Sequence, residues 1–342
     1  MTNTRPAGAR ATIRDVAALA GVSAKSVSRV VNDLPGSSPA LTARVLAAIQ
    51  RLDYRPDLTA SRLRRSDGRS ATIGLVLEDT GNPFSSALQR AIEDIALRRG
   101  VLVLAGSSDE DARRERQLVA AFSSRRVDGL VIVPGGHDHS YLMSERKAGT
   151  AIVFVDRQPS FFDADSVVAD NVGGVRRGVR QLIMNGHRRI GYLGDLQTIA
   201  TAALRYEGYR EELERHSIPL DERLVQLAVR GADLAEAAAT KLLSTTQPPT
   251  ALFCGQNLIT IGAYRALRKM GLQRRVALIG FDDILLADMV EPGITVVAQD
   301  PALMGRIAAE LLFRRLDGDD SPTVCQVVPT RLIRRGSGEL AP

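Results

Sequence analysis

The sequence is poor in aromatic residues and in cysteine. It has 342 residues, no tryptophan, and phenylalanine, tyrosine and tryptophan together make up 4% of it. Its two cysteines, Cys254 and Cys325, each lie in an apolar run typical of a strand, so we expect buried thiols in a reducing compartment and no disulfide. No run reaches about 18 apolar residues, and the starting segment MTNTRPAGARA lacks the apolar core of a signal peptide. We therefore expect a soluble, cytoplasmic protein.

Motifs of the common enzyme classes are also absent. The sequence contains no G-x-x-x-x-G-K-[ST] phosphate loop, no G-x-G-x-x-G after its first strand and no G-x-S-x-G elbow. His137 and His139 flank Asp138 and could share a metal ion, but no third ligand follows at a recognisable spacing, and a solvated loop is the better interpretation. We predict no catalytic residue, no metal and no cofactor.

The positive charge is concentrated near the start of the chain. The protein has 45 Lys and Arg against 39 Asp and Glu, which gives a net charge of +6. Residues 1–68 contain 11 of these cations and 5 of these anions, a difference of +6, so the remaining residues balance at 34 against 34. A cationic head on a neutral body favours nucleic acid as the partner over a membrane or an acidic substrate.

Two short helices are predicted between Thr12 and Asn32, in the segment TIRDVAALAGVSAKSVSRVVN. Apolar residues recur at helical spacing on one face of each helix, namely Ile13, Val16, Ala17 and Ala20 in the first and Val27, Val30 and Val31 in the second. Thr12, with Asp15 in the first turn, and Ser23 are placed to cap the helices, and Gly21 lies where the chain must turn. This is the pattern of a DNA-binding helix-turn-helix.

The second helix has a polar face that carries no carboxylate before Asp33. On a helix in the major groove, this face predicts base contacts by Ala24, Lys25 and Arg29. The same geometry predicts phosphate contacts by Thr12, Ser23, Ser26, Ser28 and Asn32. The alternative is a solvated face in an ordinary helical bundle.

A change of pattern divides the rest of the chain. Ser38 and Pro39 begin a third helix, and a basic linker of marginal helicity starts at Pro56. From Thr72 onward, apolar strands alternate with amphipathic helices in two sets, which predicts two parallel-sheet lobes with a cleft between them. We expect a disordered arm at 1–10, a helical domain at 11–55, a linker at 56–70 and the body at 71–342.

The segment from Thr12 to Asn32 resembles the N-terminus of the LacI/GalR (lactose and galactose repressor) family of transcription factors. The resemblance continues through VLAAIQ at 45–50 and LDYRP at 52–56 to the closing run TVVAQDPALMGRIAAELLFRRLDG, and covers about residues 11–335. It implies an all-α helix-turn-helix head and an α/β body of the periplasmic-binding-protein type. Its two lobes are expected at about 71–165 plus 299–321 and about 166–298 plus 322–335.

The resemblance also implies a role for the linker as a hinge helix that folds when two subunits lie side by side on DNA. Ala60 and Leu63 match positions that approach the minor groove, where an inserted leucine would kink the duplex. Arg62 and Arg64, with Arg65, would then contact the flanking phosphates. From the residues alone, a solvated linker is the alternative.

Ligands of open parallel sheets bind beyond the carboxyl ends of the strands. This rule selects as effector-binding candidates Asp79, Asn82, Phe84, Asp156, Arg157, Arg205, Gln256, Asp282 and Gln299, together with Ser107, Asp109 and Asn257. The resemblance supports four of them, Asp156, Arg205, Asp282 and Gln299. Two departures from the family, the pair Gln256–Asn257 in place of Asn-Asp and Ala203 in place of a common arginine, suggest a different hydroxyl pattern or an acidic ligand. With no tryptophan, the rings available for sugar stacking are Phe84, Phe161 and Phe162.

The sequence therefore predicts a homodimeric transcriptional regulator, more readily a repressor, that binds a palindromic operator and responds to a small-molecule effector, expected to be a carbohydrate. A solute-binding protein for transport, which would share the body, is the main alternative. A sugar-processing α/β enzyme is a third.

Overall fold

The computed structural model describes residues 11–31, 35–54 and 69–342. The chain divides into two compact units, Met1–Ser70 and Ala71–Pro342, which we call the head and the body. Several predicted features lie outside the described residues: the arm at 1–10, the phosphate contact Asn32, and the hinge residues Ala60, Arg62, Leu63, Arg64 and Arg65.

The described part of the head contains three helices: α1 (Ile13–Ala20), α2 (Ala24–Val31) and α3 (Pro39–Leu52). Val16, Val27 and Val45, one from each helix, are completely buried against one another in its core. Gly21 ends α1 with φ of 64°, a left-handed conformation that glycine adopts without steric cost, and the chain turns there into α2.

The predicted caps of the head are present. The Thr12 hydroxyl accepts a hydrogen bond from the Asp15 amide, and the Asp15 carboxylate accepts one from the Thr12 amide, so the two residues form a capping box. The Ser38 hydroxyl accepts from the Leu41 amide at the start of α3, directly before Pro39. Local sequence therefore determines where α1 and α3 begin.

The elements of the body follow in chain order. The first set is β1 (Thr72–Leu77), α4 (Pro83–Arg98), β2 (Leu102–Ser107), α5 (Ala112–Ser124), β3 (Gly129–Ile132), the 3-10 turn Ser140–Leu142, α6 (Met143–Lys147), β4 (Ala151–Asp156) and β5 (Asp165–Ala169). The second set is α7 (Asn171–Met184), β6 (Ile190–Leu193), α8 (Ala200–Arg215), the 3-10 turn Glu222–Leu224, β7 (Val225–Gln226), α9 (Gly231–Leu243), β8 (Ala251–Cys254), α10 (Asn257–Lys269), β9 (Ala277–Phe281) and β10 (Thr295–Ala298). The chain closes with α11 (Pro301–Leu316), β11 (Cys325–Val328), β12 (Arg331–Ile333) and the 3-10 turn Ser337–Glu339.

Two six-stranded sheets organise the body, and each is covered by helices. The first has the order β11-β5-β4-β3-β1-β2 and is parallel throughout, and the second has the order β12-β10-β9-β8-β6-β7 with only β12 antiparallel. All residues of β1, β3, β8 and β9 are buried. The prediction of a helical head and two parallel-sheet lobes is confirmed.

The chain crosses between the lobes at three points, of which the one after β10 agrees with the expected boundary at 298/299 and the other two differ. We placed crossings at about residues 166 and 322, but β5 and β11 both belong to the first sheet, where Cys325–Val328 pair with Ser166–Ala169. The chain crosses after β5, after β10 and again between β11 and β12. These two expected boundaries were wrong because pairing between strands distant in sequence decides which sheet an edge strand joins.

The two cysteines lie in different surroundings. Cys254 is completely buried in the second sheet, as expected, whereas Cys325 is exposed because β11 is an edge strand. Within the described ranges 11–31, 35–54 and 69–342, no helix is long and apolar enough to span a bilayer.

Close packing of α10 on α9 leads to a first prediction. A Cβ added at Gly262 would lie 2.1 Å from the Ala232 carbonyl oxygen and 2.8 Å from the Glu236 amide, both backbone atoms that cannot rotate away. We expect Gly262→Ala to lower the free energy of unfolding by roughly 1–3 kcal/mol, as overpacking does, in a urea titration followed by circular dichroism. Arg265→Ala, at an exposed position one turn further along α10, is the control. Equal midpoints for the two variants would contradict this packing.

Candidate functional site

The polar face of α2 is open to solvent within the head. Ala24, Lys25 and Arg29 are exposed and Ser26 and Ser28 are partly exposed, while Val27 on the opposite face is completely buried. The helix is thus held by its valine face and presents two cations.

The hydroxyl groups beside this face already make local hydrogen bonds. The Ser23 hydroxyl caps α2 by accepting from the Ser26 amide at 3.1 Å and lies 2.9 Å from the Ser26 hydroxyl. The Thr12 hydroxyl donates to an Asp15 carboxylate oxygen at 2.8 Å, so Thr12 would have to give up this bond to donate to a phosphate. The Arg29 guanidinium donates to the Pro35 carbonyl in the loop after α2.

A cavity lies in the body, where the carboxyl ends of the two sheets face each other. Its lining residues are Glu78, Asn82, Phe84, Glu110, Asp156, Arg157, Asp195, Ile199, Thr201, Ala202, Arg205, Gly255, Gln256, Asp282 and Gln299. Its volume of about 50 Å³ admits a few water molecules. The lobes must therefore separate for a larger ligand to enter.

Eight of the nine principal effector candidates line this cavity; Asp79 does not. Its exposed carboxylate accepts a hydrogen bond from the Gly81 amide in the turn before α4. Of the secondary candidates, Asp109 pairs with Arg114 and the Ser107 hydroxyl accepts from the Thr80 amide. The strand-end rule selects these residues because it places them at the correct edge of the sheet, but it does not give the direction of each side chain.

Three acidic residues of the lining, Glu78, Glu110 and Asp195, are absent from the candidates drawn from the sequence. Glu78 directly follows β1, so the strand-end rule could have included it. Glu110 belongs to the turn before α5, and Asp195 follows β6. The sequence gives little indication that Glu110 lines the cavity, because its position there depends on pairing with Arg157, which follows another strand.

Asp156 and Asp282 occupy equivalent places in the two lobes. Asp156 is the last residue of β4 and Asp282 directly follows β9, and their φ angles are 72° and 71°. A left-handed conformation is uncommon at a non-glycine residue, although Asp adopts it more readily than most. Both carboxyl groups are buried against the cavity.

Arg205 connects α8 to the strand ends of the second lobe. Its guanidinium donates to the Asn171 side-chain oxygen at 2.7 Å and to the Gly255 carbonyl at 2.9 Å, and lies 3.8 Å from the Asp282 carboxylate. It also stacks over the ring of Phe281, 3.9 Å from the ring centre.

Arg157 has the corresponding role in the first lobe. Its two terminal nitrogens donate to the Glu110 carboxylate at 2.6 and 2.7 Å in a bidentate pair, and one of them also donates to the Pro134 carbonyl at 3.0 Å. Its Nε lies 3.3 Å from an oxygen of Asp156.

Burial gives the cavity carboxyl groups unusual acidities. Desolvation raises the pKa of Glu78 to about 7, although a hydrogen bond from Ser85 opposes the shift. Desolvation likewise raises the pKa of Asp156, Asp195 and Asp282 above its ordinary value. Burial therefore favours the protonated, neutral form of these carboxyl groups.

A hydrogen bond joins the two lobes across the cleft. The Asn257 side-chain amide donates to the Asn82 side-chain oxygen at 2.8 Å, and both residues are buried. The same oxygen of Asn82 caps α4 by accepting from the Phe84 amide at 3.1 Å. This bond spans the closed cleft.

The candidate stacking rings and the histidines singled out in the sequence differ in their positions relative to the cavity. Phe161 is 83% exposed and Phe162 packs in the core of the first lobe, so of the three candidate stacking rings only Phe84 reaches the cavity. Among the residues for which the structure gives positions, no three His, Cys, Asp or Glu side chains are grouped to hold a metal ion. His139 is buried beside Glu115 instead, 3.7 Å from its carboxylate.

Comparison with known proteins identifies both units. Residues 12–57 match the model of bacterial regulatory proteins of the lacI family, and residues 179–338 match a periplasmic binding protein-like domain. The transcriptional regulator GalR of Escherichia coli K12 is 33% identical over 329 residues, which are 96% of this chain and 95% of the relative. The ribose operon repressor of the same organism is 32% identical over 334 residues, 96% of this chain and 99% of the relative. The chain belongs to the lacI family.

Solved structures of this lacI-family type agree over nearly the whole chain. The Lac repressor dimer bound to operator and the anti-inducer ONPF has a TM-score of 0.84 and 26% identity, and covers 97% of this chain and 100% of its own. A transcriptional regulator CelR–cellobiose complex has a TM-score of 0.70 and 31% identity, and it covers 96% of this chain and 100% of its own. This lacI-family protein is a DNA-binding transcriptional regulator, and the transport alternative is not favoured.

The raised pKa of Glu78 predicts how pH affects stability. Between the ordinary value of 4.5 and about 7, the folded state keeps a proton that the unfolded state has lost, so stability falls as pH rises through this window and then levels off. We expect Glu78→Gln to match the wild type near pH 5 and to exceed it by roughly 1–3 kcal/mol at pH 8, in thermal melts across this range. Asp79→Asn changes the neighbouring residue, which lies outside the cavity, and should leave the stability at both pH 5 and pH 8 as in the wild type. A variant that followed the wild-type pH profile would contradict the buried position of Glu78.

The bond across the cleft predicts the effect of a second change. Asn257→Asp replaces the donor with an acceptor facing the Asn82 oxygen, so the lobes should part and the radius of gyration from small-angle X-ray scattering should increase. Asn82→Asp is the matched control, because its carboxylate still caps α4 and still accepts from Asn257. Superimposable scattering curves for Asn257→Asp and the wild type would show that this bond does not hold the cleft closed.

Proposed function

We propose that this protein is a cytoplasmic homodimeric repressor that binds an inversely repeated operator, and that a small polyhydroxylated effector in the cleft controls its affinity for DNA. The observation that carries the proposal is the exposed, carboxylate-free face of α2, fixed by the buried Val27. A soluble binding protein would have no use for such a face.

On DNA, α2 enters the major groove. Lys25 and Arg29 donate to guanine O6 and N7, and Ala24 leaves room for a thymine methyl group. Ser23, Ser26, Ser28, Asn32 and, after release of its bond to Asp15, Thr12 contact phosphates and fix the register. The hinge residues Ala60 and Leu63 enter the minor groove, and Arg62 and Arg64 contact its phosphates.

The body holds the effector between its lobes. Asn82, Phe84, Asp156 and Arg157 contribute from one side, and Arg205, Gln256, Asp282 and Gln299 contribute from the other or from the crossing segment. Names of relatives, among them the ribose operon repressor and the CelR–cellobiose complex, support a carbohydrate as the ligand class. No catalytic step is proposed, because the relatives are regulators and the lining offers no paired nucleophile and base.

Control of DNA binding follows from linkage. If the effector favours a lobe arrangement that separates the two hinge segments, it lowers the affinity for operator, and operator must lower the affinity for effector by the same factor. An arrangement that opens the cleft would break the bond between Asn82 and Asn257, which requires the two lobes to meet.

The α2 face predicts the outcome of a DNA-binding titration. A preferred duplex is first selected from a random pool, and its affinity is then measured by fluorescence anisotropy at fixed salt. We expect Lys25→Ala and Arg29→Ala each to weaken binding by about 1–3 kcal/mol, since each removes a base contact. Circular dichroism would check that the Arg29 variant, which also loses its bond to Pro35, keeps its helices.

Arg51→Ala is the matched control, because it removes one exposed cation from the last turn of α3 instead of from α2. Equal losses in all three variants would point to a purely nonspecific attraction. Failure of the wild type to bind any duplex at low salt would overturn the function.

A further inference from the structure

The charges that line the cavity do not balance. Five carboxylic acids, Glu78, Glu110, Asp156, Asp195 and Asp282, face two guanidinium groups, those of Arg157 and Arg205. The body as a whole is close to neutral, with 34 cations and 34 anions among residues 69–342. The acidic excess is therefore specific to the cleft.

Both arginines are paired mainly within the protein, and the Nε of Arg157, which makes no hydrogen bond, lies 3.3 Å from the Asp156 carboxylate. Arg157 uses both terminal nitrogens on Glu110 and one of them also on the Pro134 carbonyl. Arg205 donates to Asn171 and to the Gly255 carbonyl and stacks on Phe281. These bonds hold both side chains in the wall of the cavity, so a carboxylate or phosphate on the ligand would meet mainly acidic side chains.

Two acceptor atoms of the lining lack a hydrogen-bond partner. Gln256 and Gln299 each bury a side-chain oxygen that has no hydrogen-bond partner in the closed protein. Gln299 uses its amide to donate to Asp282 at 2.6 Å, so its oxygen faces away from that bond. Buried acceptors without partners are costly, and a ligand rich in donors would satisfy them.

Glu78 is the acid with the least compensation. Asp195 lies 3.8 Å from Arg230, and Asp156 and Asp282 lie beside Arg157 and Arg205, respectively. Within the described ranges Glu78 has no such ion pair, and its carboxyl group accepts a hydrogen bond from the Ser85 hydroxyl at 2.7 Å. Desolvation raises the pKa of Glu78 to about 7, although Ser85 and the more distant Arg157 oppose the shift, and a cation beside the carboxyl group would lower this pKa.

We infer that the effector of this protein is a polyhydroxylated molecule that carries a protonated amine, an amino sugar being the simplest example, and that Glu78 receives the amine. The hydroxyl groups donate to Asp156, Asp282 and the two glutamine oxygens. The inference rests on the proposed function, because it names the ligand class of the same cleft. It replaces the acidic ligand that the departures at Gln256–Asn257 and Ala203 suggested.

The test compares ligands that share a ring and differ in charge. The full-length protein is titrated by isothermal calorimetry at pH 7 with D-galactosamine, D-galactose and D-galacturonate, and with the corresponding glucose series. In at least one series, we expect the amine to bind about tenfold or more tightly than the neutral sugar, and the uronate not to bind. A uronate that binds best in either series, neutral sugars that equal their amines in both series, or no binding by any of the six would overturn the inference.

Two variants assign the amine to its partner. Glu78→Gln should reduce the preference for the amine over the neutral sugar by about tenfold, while the affinity for the neutral sugar stays within a few-fold. Asp79→Asn removes a carboxylate from the same segment, outside the cavity, and should leave the preference unchanged. A preference that survived in Glu78→Gln would contradict the role of Glu78.

The DNA titration separates failure of this inference from failure of the proposed function, because it requires no effector. A protein that binds a selected duplex through α2 but binds no amine would retain its function and lose only the ligand class. A protein that binds the amine but no DNA would lose the proposed function.

Discussion

Burial of acidic groups between two facing sheets is the constraint on which the body depends. Asp156 and Asp282 end equivalent strands in left-handed conformations and face one cavity, where desolvation raises the pKa of both. Each is kept in place by a guanidinium that is itself anchored on neighbouring backbone, Arg157 on Pro134 and Arg205 on Gly255. Isolated buried charges of this kind would be too costly without such partners.

The same constraint makes the body responsive to a ligand. In the closed, acidic and nearly filled cleft, the arginine pairs offset part of the cost of burying the carboxyl groups, and the bond between Asn82 and Asn257 joins the two lobes. A molecule that supplies donors or positive charge changes this balance directly. Because parallel sheets place their ligand sites at the strand ends, which are also the faces that meet between the lobes, binding and lobe movement share the same residues.

Much of the head could be predicted from local sequence. The caps at Thr12 and Ser38, the turn at Gly21 and the valine face of α2 depend on residues within a few positions of one another, and the structure has each of them. The contacts of Lys25 and Arg29 with DNA remain predictions. The body's class was also predictable, because buried parallel strands are continuously apolar and alternate with helices.

The sequence alone therefore determined the helical head, the two-lobed α/β class and the edge of the sheets at which the cavity lies, since hydrophobic periodicity and local capping carry that information. Only the tertiary structure decided which side chains meet. The cavity lining does not contain Asp79 but does contain Glu78, Glu110 and Asp195. The strand β11, with Cys325, lies at the edge of the first sheet. These outcomes depend on side-chain direction and on pairing between residues far apart in the chain, which no local pattern encodes.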